Sequence, residues 1–517
     1  MRSWFASSVL CLVLFAPTPA AARSASDGQA CLRSSDLTCA QDVREELLRR
    51  SPDADGTLRL VAQTAFHEGD YAAALEAWMV LQERGVADDP YTPYAATAAA
   101  ATGLVEARTT GVMLRHDTGV DTILAEEGLE TLAQARATYD ALFGGGPDHE
   151  IVLDIFPTAS RFTAASGLPP EAVQNTGVIA LSKWNRLLLT SPRALSRGYN
   201  WKDTISHEYI HLVVSWRSGD RVPVWLQEGL AKHLEGDWRG GRAGYLSVHQ
   251  QSLLAEALAT DTFVPFEKFK QSMAYLDSGE EAALAFAQVA TMVHFLLDRG
   301  TDVVLVELMD RIRSGEASED VVADLAGFED FAAFREGWKD FIAKLPLIEA
   351  KLSTLPVVLD GSGSDFSSDP LLSVRTDLAK FARLGDLLRD ADRPAAALIE
   401  YEKAADPDAP PSPMLLARKA VCLQMMGELP LALAVAEEGV ALYPEFPLLQ
   451  VTVAQLREAS GQKAAAITAW KSAHDLNPFN PTVQRALMEG YEATGQTDLA
   501  ARHARYARIL STGGALD

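Results

Sequence analysis

His207-Glu208-Tyr209-Ile210-His211 is a run whose residue types and spacing can do chemistry. Two histidines four positions apart on a helix fall roughly 40° apart, so both imidazoles project from one face. Neutral imidazole nitrogens suit zinc, which takes them at about 2.0–2.1 Å. Glu208 points between that face and the next, where a carboxylate can take a proton from a water on the metal. The pattern predicts a helix from Lys202 to Val214, with Ile205, Tyr209 and Leu212 on the opposite face to pack on a core.

A second run lies just downstream, Val224-Trp225-Leu226-Gln227-Glu228-Gly229-Leu230-Ala231. H-E-x-x-H followed by W-L-x-E-G-x-A resembles the gluzincin metallopeptidases, the peptidase MA-like group of thermolysin and the aminopeptidase N relatives. The resemblance implies that Glu228, on a second helix, is the third zinc ligand beside His207 and His211. It also implies that Glu208 is the catalytic base activating a zinc-bound water against a peptide bond. Sixteen residues separate His211 from Glu228, a spacer of the length such enzymes use. Two histidines and one carboxylate leave a fourth position for water, as catalytic zinc requires. His233 is a rival third ligand, but five residues beyond Glu228 it points to another helix face.

The elements that must position these residues read as an α+β layout. Val112–Leu114, Ile151–Phe156, Val178–Leu181 and Leu187–Leu189 are expected strands, with a helix Ile123–Phe143 between the first two. A mostly helical half follows from Asp203 to about Leu345, including Glu280–Arg299, Val303–Ser314 and Phe331–Lys344. The gluzincin resemblance implies that an edge strand lines the cleft and pairs with an extended substrate; Thr176–Leu181 is the stretch nominated for it. Aminopeptidase N relatives carry G-x-M-E-N there, its glutamate holding the substrate amine. Gly177-Val178-Ile179-Ala180-Leu181 contains no acid, which directs the reading towards an endopeptidase or a limited processing role. Tyr245, His249 and Tyr275 are candidate oxyanion donors that no spacing distinguishes, and His294 reads as an ordinary helix-face histidine.

All-α repeats are expected on both sides of this domain. Ala62, Gly69, Ala74 and Trp78 stand at tetratricopeptide packing positions within residues 56–108, one unit plus the first helix of a second. In 379–512 the period is explicit: Gly427, Gly461 and Gly495, then Ala432, Ala466 and Ala500, recur at 34 residues. Pro413, Pro447 and Pro481 open successive units at the same interval. The inner groove of such an array either holds a peptide or protein partner or buttresses the catalytic unit; the sequence leaves both open. Residues 346–378, rich in Gly, Ser, Asp and Pro, read as a linker.

Residues 1–22 read as a signal peptide, with Arg2, a short apolar run from Val9 to Phe15 and small residues before Arg23. The mature chain, starting with the segment 23–55, is expected to be exported, periplasmic or extracellular, and without a membrane span. An exported compartment permits Cys31 and Cys39 to pair, leaving Cys422 as a buried thiol. The 517 residues carry 46 basic and 70 acidic side chains, a net charge of −24, which argues against nucleic acid or an anionic membrane as the main partner. The sequence therefore reads as an exported zinc metallopeptidase acting on a peptide or protein substrate, in a gluzincin-like α+β domain flanked by tetratricopeptide repeats. The competing reading is a catalytically inactive peptidase-like scaffold that acts through those repeats.

Overall fold

The computed structural model describes residues 23–86, 92–168, 177–240, 244–270, 273, 276–301, 303–350, 352, 376–406 and 410–513. The expected signal peptide, Thr176, Tyr275 and most of the expected linker lie outside them. Helices α1 (Ala25–Arg33) and α2 (Leu37–Arg50) open the chain, with Cys31 and Cys39 joined by a disulfide across their connection. Next, α3 (Asp55–Glu68) and α4 (Tyr71–Glu83) form a hairpin turned at Gly69, whose φ of +82° favours glycine. Ala62 and Ala74 are fully buried where the two helices meet, as the repeat pattern requires. A single further helix follows, α5 (Thr92–Ala100).

The chain then enters a sheet earlier than its repeat pattern suggests. Val105–Thr109, expected within the helical segment 56–108, is strand β1 and pairs antiparallel with β2 (Val112–His116). Gly103 keeps the 34-residue interval after Gly69, but Val105-Glu106-Ala107-Arg108 alternates apolar and polar residues with the period of a strand, here an exposed edge of the sheet. After α6 (Ile123–Leu142) come β3 (Ile151–Phe156), α7 (Ala159–Ser166), β4 (Ala180–Lys183) and β5 (Arg186–Thr190). The five strands lie in the order β1-β2-β3-β5-β4, with β2, β3 and β5 parallel and both edges antiparallel. Strand β4 is an edge, but it begins at Ala180; the nominated stretch Thr176–Leu181 overlaps it by two residues. The expected strand Val178–Leu181 likewise starts two residues early, because Val178 and Ile179 extend the apolar run ahead of the strand.

The central strands are mostly apolar because both faces are covered, and every residue of β2, β3 and β5 is buried. One face carries α6 and the motif helix α8 (Trp201–Ser218). The other receives α7 and the N-terminal hairpin. A buried polar knot fastens that hairpin: Tyr71 donates to Asp154 on β3, and Arg115 and Arg186 lie 3.5 and 3.8 Å from the same carboxylate. The helical half comprises α9 (Val224–Leu234), α10 (Val248–Thr260), α11 (Gly279–Arg299), α12 (Val304–Ser314), α13 (Ser318–Leu325) and α14 (Phe331–Ile342). Helix α11 is the one helix among the described residues long and apolar enough to cross a membrane, yet 56% of that apolar stretch is buried within the fold.

Eight helices in four antiparallel pairs follow. These are α15 (Thr376–Asp390), α16 (Pro394–Ala404), α17 (Pro413–Met425), α18 (Leu429–Leu442), α19 (Pro447–Ala459), α20 (Lys463–Leu476), α21 (Pro481–Ala493) and α22 (Thr497–Ser511). First helices open at 413, 447 and 481 and second helices at 429, 463 and 497, which is the 34-residue period in three dimensions. The last units are docked on the sheet domain. Glu127 of α6 meets His474 at 2.9 Å and is paired with Lys202 of the motif helix, while Lys202 also reaches Asp475 at 2.7 Å. Gln484 and His503 extend the chain of bonds behind His474. Gly198, at φ +71°, lets the backbone pass there: a Cβ on it would lie 2.2 Å from the Leu476 carbonyl.

Removing one partner from a buried charge pair strands the other, which costs about 3–5 kcal/mol. Glu127→Ala should lower the stability of the chain by that order in denaturant titration, and expose the junction before residue 476 to limited proteolysis. Burial pushes the Glu127 carboxyl up, but His474 and Lys202 outweigh it and hold it well below 4.5. Its contribution is therefore present above pH 4.5 and is lost as pH falls below that value. Wild type should lose it over that acid range, and Glu127→Ala should show a correspondingly shallower acid dependence.

Candidate metal centre

Helix α8 presents the H-E-x-x-H run because its other face is committed to the core. Ile205, Tyr209 and Val213 are fully buried, and Tyr209 donates to Asp140 of α6 at 2.6 Å. Tyr139, the residue before Asp140 on α6, bridges Ser206 of α8 and the Leu234 carbonyl of α9 at 2.8 and 2.6 Å. That single phenol ties the two motif helices together. Helix α9 is held from its far side by Trp225, packed on Phe266 and Phe331. Gly229 completes the fit: a Cβ there would lie 2.8 Å from the Val289 carbonyl of α11. The glycine of E-G-x-A thus permits a close helix approach that sets Glu228 against α8.

The result is a convergence of three side chains. His207 Nε2 and His211 Nε2 lie 3.1 Å apart, and Glu228 Oε2 is 3.5 and 3.6 Å from them. A tetrahedral ion with bonds of about 2.0–2.1 Å holds its ligand atoms about 3.4 Å apart, so this donor set fits one. The outer imidazole nitrogens are oriented as well. His207 Nδ1 meets Glu235 Oε2 at 2.9 Å, His211 Nδ1 meets Gln227 Oε1 at 3.3 Å, and Lys232 holds the other Glu235 oxygen at 2.5 Å. Such partners fix ring orientation and raise ligand basicity. Neither Glu235 nor Gln227 was singled out from the sequence. The available signal was that Glu235 stands two helical turns after Glu228, on the same side of α9.

Electrostatics agree with a cation at this point. Burial alone would lower the His207 imidazole, but Glu228 and Glu235 push it up to about 10. Burial alone would raise Glu228, yet His211 and His207 hold it well below the usual carboxylate range. A field that favours a proton on His207 also favours a divalent ion between the rings. Glu208, buried beside them, is raised by burial and by Glu228 against the opposing pull of both histidines and of the Ser182 backbone N–H. A carboxyl moved upward in this way is a stronger base than a free carboxylate, as a proton-transfer group requires. Tyr199, another neighbour of Glu208, is committed elsewhere, donating to the Thr190 carbonyl at 2.5 Å.

Other candidates are placed apart from this group. His233 packs against Tyr245 and His294, its ring centroid 4.4 and 5.2 Å from theirs, and Tyr245 meets His294 Nδ1 at 2.6 Å. His249 lines a separate cavity with Glu256 and Glu280. A second trio of potential ligands, Glu127, His474 and Asp475, already contains the Lys202 ammonium, which supplies the positive charge a metal would bring.

Residues 131–344 match the model of the Peptidase MA superfamily, and the two motif helices and the edge strand β4 lie inside the matched stretch. No curated protein matches the chain. Among solved structures, the crystal structure of MamA is similar at 17% identity, covering 28% of this chain and 84% of its own, with a TM-score of 0.24. The APC/C hetero-tetramer Cut9–Hcn1 is similar at 11% identity, covering 95% of this chain and 79% of its own, with a TM-score of 0.26.

Loss of an outer partner of a metal-bound histidine typically weakens the metal 10–100-fold. Glu235→Gln should therefore reduce affinity for zinc by about that factor in chelator competition, while Glu228→Ala reduces it further. Unchanged affinity in Glu235→Gln would show that the carboxylate does not orient His207.

Proposed function

We propose that this chain is an exported, zinc-dependent metallopeptidase of the gluzincin type. The observation that carries the reading is the convergence of His207, His211 and Glu228 on one point, with the buried Glu208 carboxylate beside it. Zinc held there supplies Lewis acidity, which acidifies a water and polarises a scissile carbonyl. The remaining work belongs to the chain. Glu208 takes the proton from the attacking water and hands it to the leaving amine, which its raised carboxyl permits. Glu235 and Gln227 keep both imidazoles in register throughout.

Strand β4 is the element suited to bind an extended substrate. Thr190 donates to the Ile179 carbonyl at 2.8 Å, so by alternation Leu181 and Lys183 bond to β5 while Ala180 and Ser182 turn their peptide groups to the open edge. Ser182 N–H then faces Glu208, which sets the edge against the proposed catalytic residue. Backbone pairing at such an edge makes little demand on sequence. The stretch Gly177–Leu181 offers no carboxylate for a substrate amine, which supports endopeptidase or limited processing activity over aminopeptidase activity.

Glu208→Gln should abolish hydrolysis of a casein or peptide-library substrate while one zinc per chain remains by elemental mass spectrometry. Hydrolysis retained in that variant would remove Glu208 from the mechanism. A zinc-loaded wild type inert towards every such substrate would instead favour the scaffold reading.

A further inference from the structure

Glu208, Leu212 and Ser215 form one stripe of α8, at spacings of four and three. The stripe leads to a cavity of about 570 Å³ whose wall includes Leu212, Ser215 and the edge residue Ser182. Ser215 lies about 6 Å along the helix axis from His211, so the cavity begins one turn from the metal centre. Its opposite wall is built by Gln29, Arg33 and Gln63 of α1 and α3. Those helices precede the stretch 131–344, so this chain adds the cavity to its peptidase-like domain.

The lining is polar and rich in donors. Asn185 is 9% exposed, and its Nδ2 makes no hydrogen bond among the described residues; nor does the buried Gln63 Oε1. Native interiors leave few polar atoms without partners, yet the residues around this cavity hold four, counting both ring nitrogens of His67, and these call for an occupant. The Gln63 amide can present its NH₂ instead by a flip. Arg33 forms no ion pair among the described residues, and Lys183 holds its ammonium 4.2 Å over the Trp184 ring at the same wall. The one acid of the lining, Asp220, already accepts the Ser215 hydroxyl at 3.0 Å. In a chain of net charge −24 this is a locally cationic recess. Trp184 and Asn185 form the β4–β5 turn at φ +55° and +56°, so edge strand and cavity wall are one rigid hairpin.

We propose that this cavity is a specificity site for a carboxylate on the peptide substrate, bound by Arg33, Asn185 and the Gln63 amide while the neighbouring backbone pairs with β4. The carboxylate is either a chain terminus or an acidic side chain a few residues from the scissile bond. The proposal rests on the peptidase reading for its substrate class, but not for its binding chemistry.

The test is calorimetric titration of the full mature chain in the Glu208→Gln background with three acetylated tetra-alanine-based probes. One has a free C-terminus, one is amidated, and one is amidated with a single glutamate. At least one carboxylate probe should bind ten-fold or more tighter than the neutral amide, and which one does so identifies the source. Arg33→Ala and Asn185→Asp should each erase the preference, whereas Arg23→Ala should keep it. Arg33 is exposed on α1, so its variant remains informative if Asn185→Asp perturbs the turn. Equal binding of all three probes, no binding, or a preference that survives Arg33→Ala would overturn the assignment. Discrimination as expected, with a wild type that cleaves nothing, would keep the carboxylate site and discard the peptidase. Cleavage indifferent to carboxylates and to Arg33 would do the reverse.

Discussion

The candidate metal centre depends on how closely two helices cross. Imidazoles on α8 and a carboxylate on α9 can share an ion only if the side chains of both helices reach one point, and an error of an ångström would open the ligand set. Three separate devices hold that distance. Tyr139 hydrogen-bonds to both helices at once, Trp225 wedges α9 against two phenylalanines, and Gly229 lets α11 press from behind. Each is a core feature, yet together they decide the 3.5 and 3.6 Å separations at Glu228.

Charge is arranged in the same layered way. Burying Glu208, Glu228 and Glu235 near one another would be costly without compensation, because each carboxylate raises the others. The two histidines and Lys232 supply it, and Lys232 is in turn braced by Glu235 and by Glu445 from the repeat array. The carboxylates consequently separate in character: Glu228 and Glu235 are held anionic, while Glu208 is left with a raised affinity for its proton. Divergence of this kind is how neighbouring carboxyl groups acquire different chemical roles.

Much of this was legible in the chain itself, for identifiable reasons. Helical spacing alone puts His207 and His211 on one face, and the apolar partners at Ile205, Tyr209 and Leu212 do pack inward. The 34-residue period emerges as helix starts at 413, 447 and 481. What stayed hidden depends on contacts between distant segments. Strand β1 looks like the end of a repeat until β2 pairs with it, and β4 begins two residues into the apolar run that suggested it. Glu235 and Gln227 are ordinary polar residues until a ring from another helix arrives beside them. The cavity at Asn185 is similarly invisible, since its walls come from five segments more than twenty residues apart.

The repeats also change meaning in three dimensions. A tetratricopeptide array usually suggests an independent binding arm, yet here its last helix contributes Tyr506 and Ile509 to the core that contains the motif helices. Lys202, in the first turn of α8, is neutralised by one carboxylate from the sheet domain and one from the array. An ammonium buried at a helix N-terminus is poorly placed with respect to the helix dipole, so it is retained only because both acids converge on it. The helix that carries His207 therefore starts from a junction shared by the two halves of the molecule. In this arrangement the C-terminal units act as part of the scaffold that aims the metal-binding face, and any groove they offer to a partner opens from a fixed position relative to the cleft.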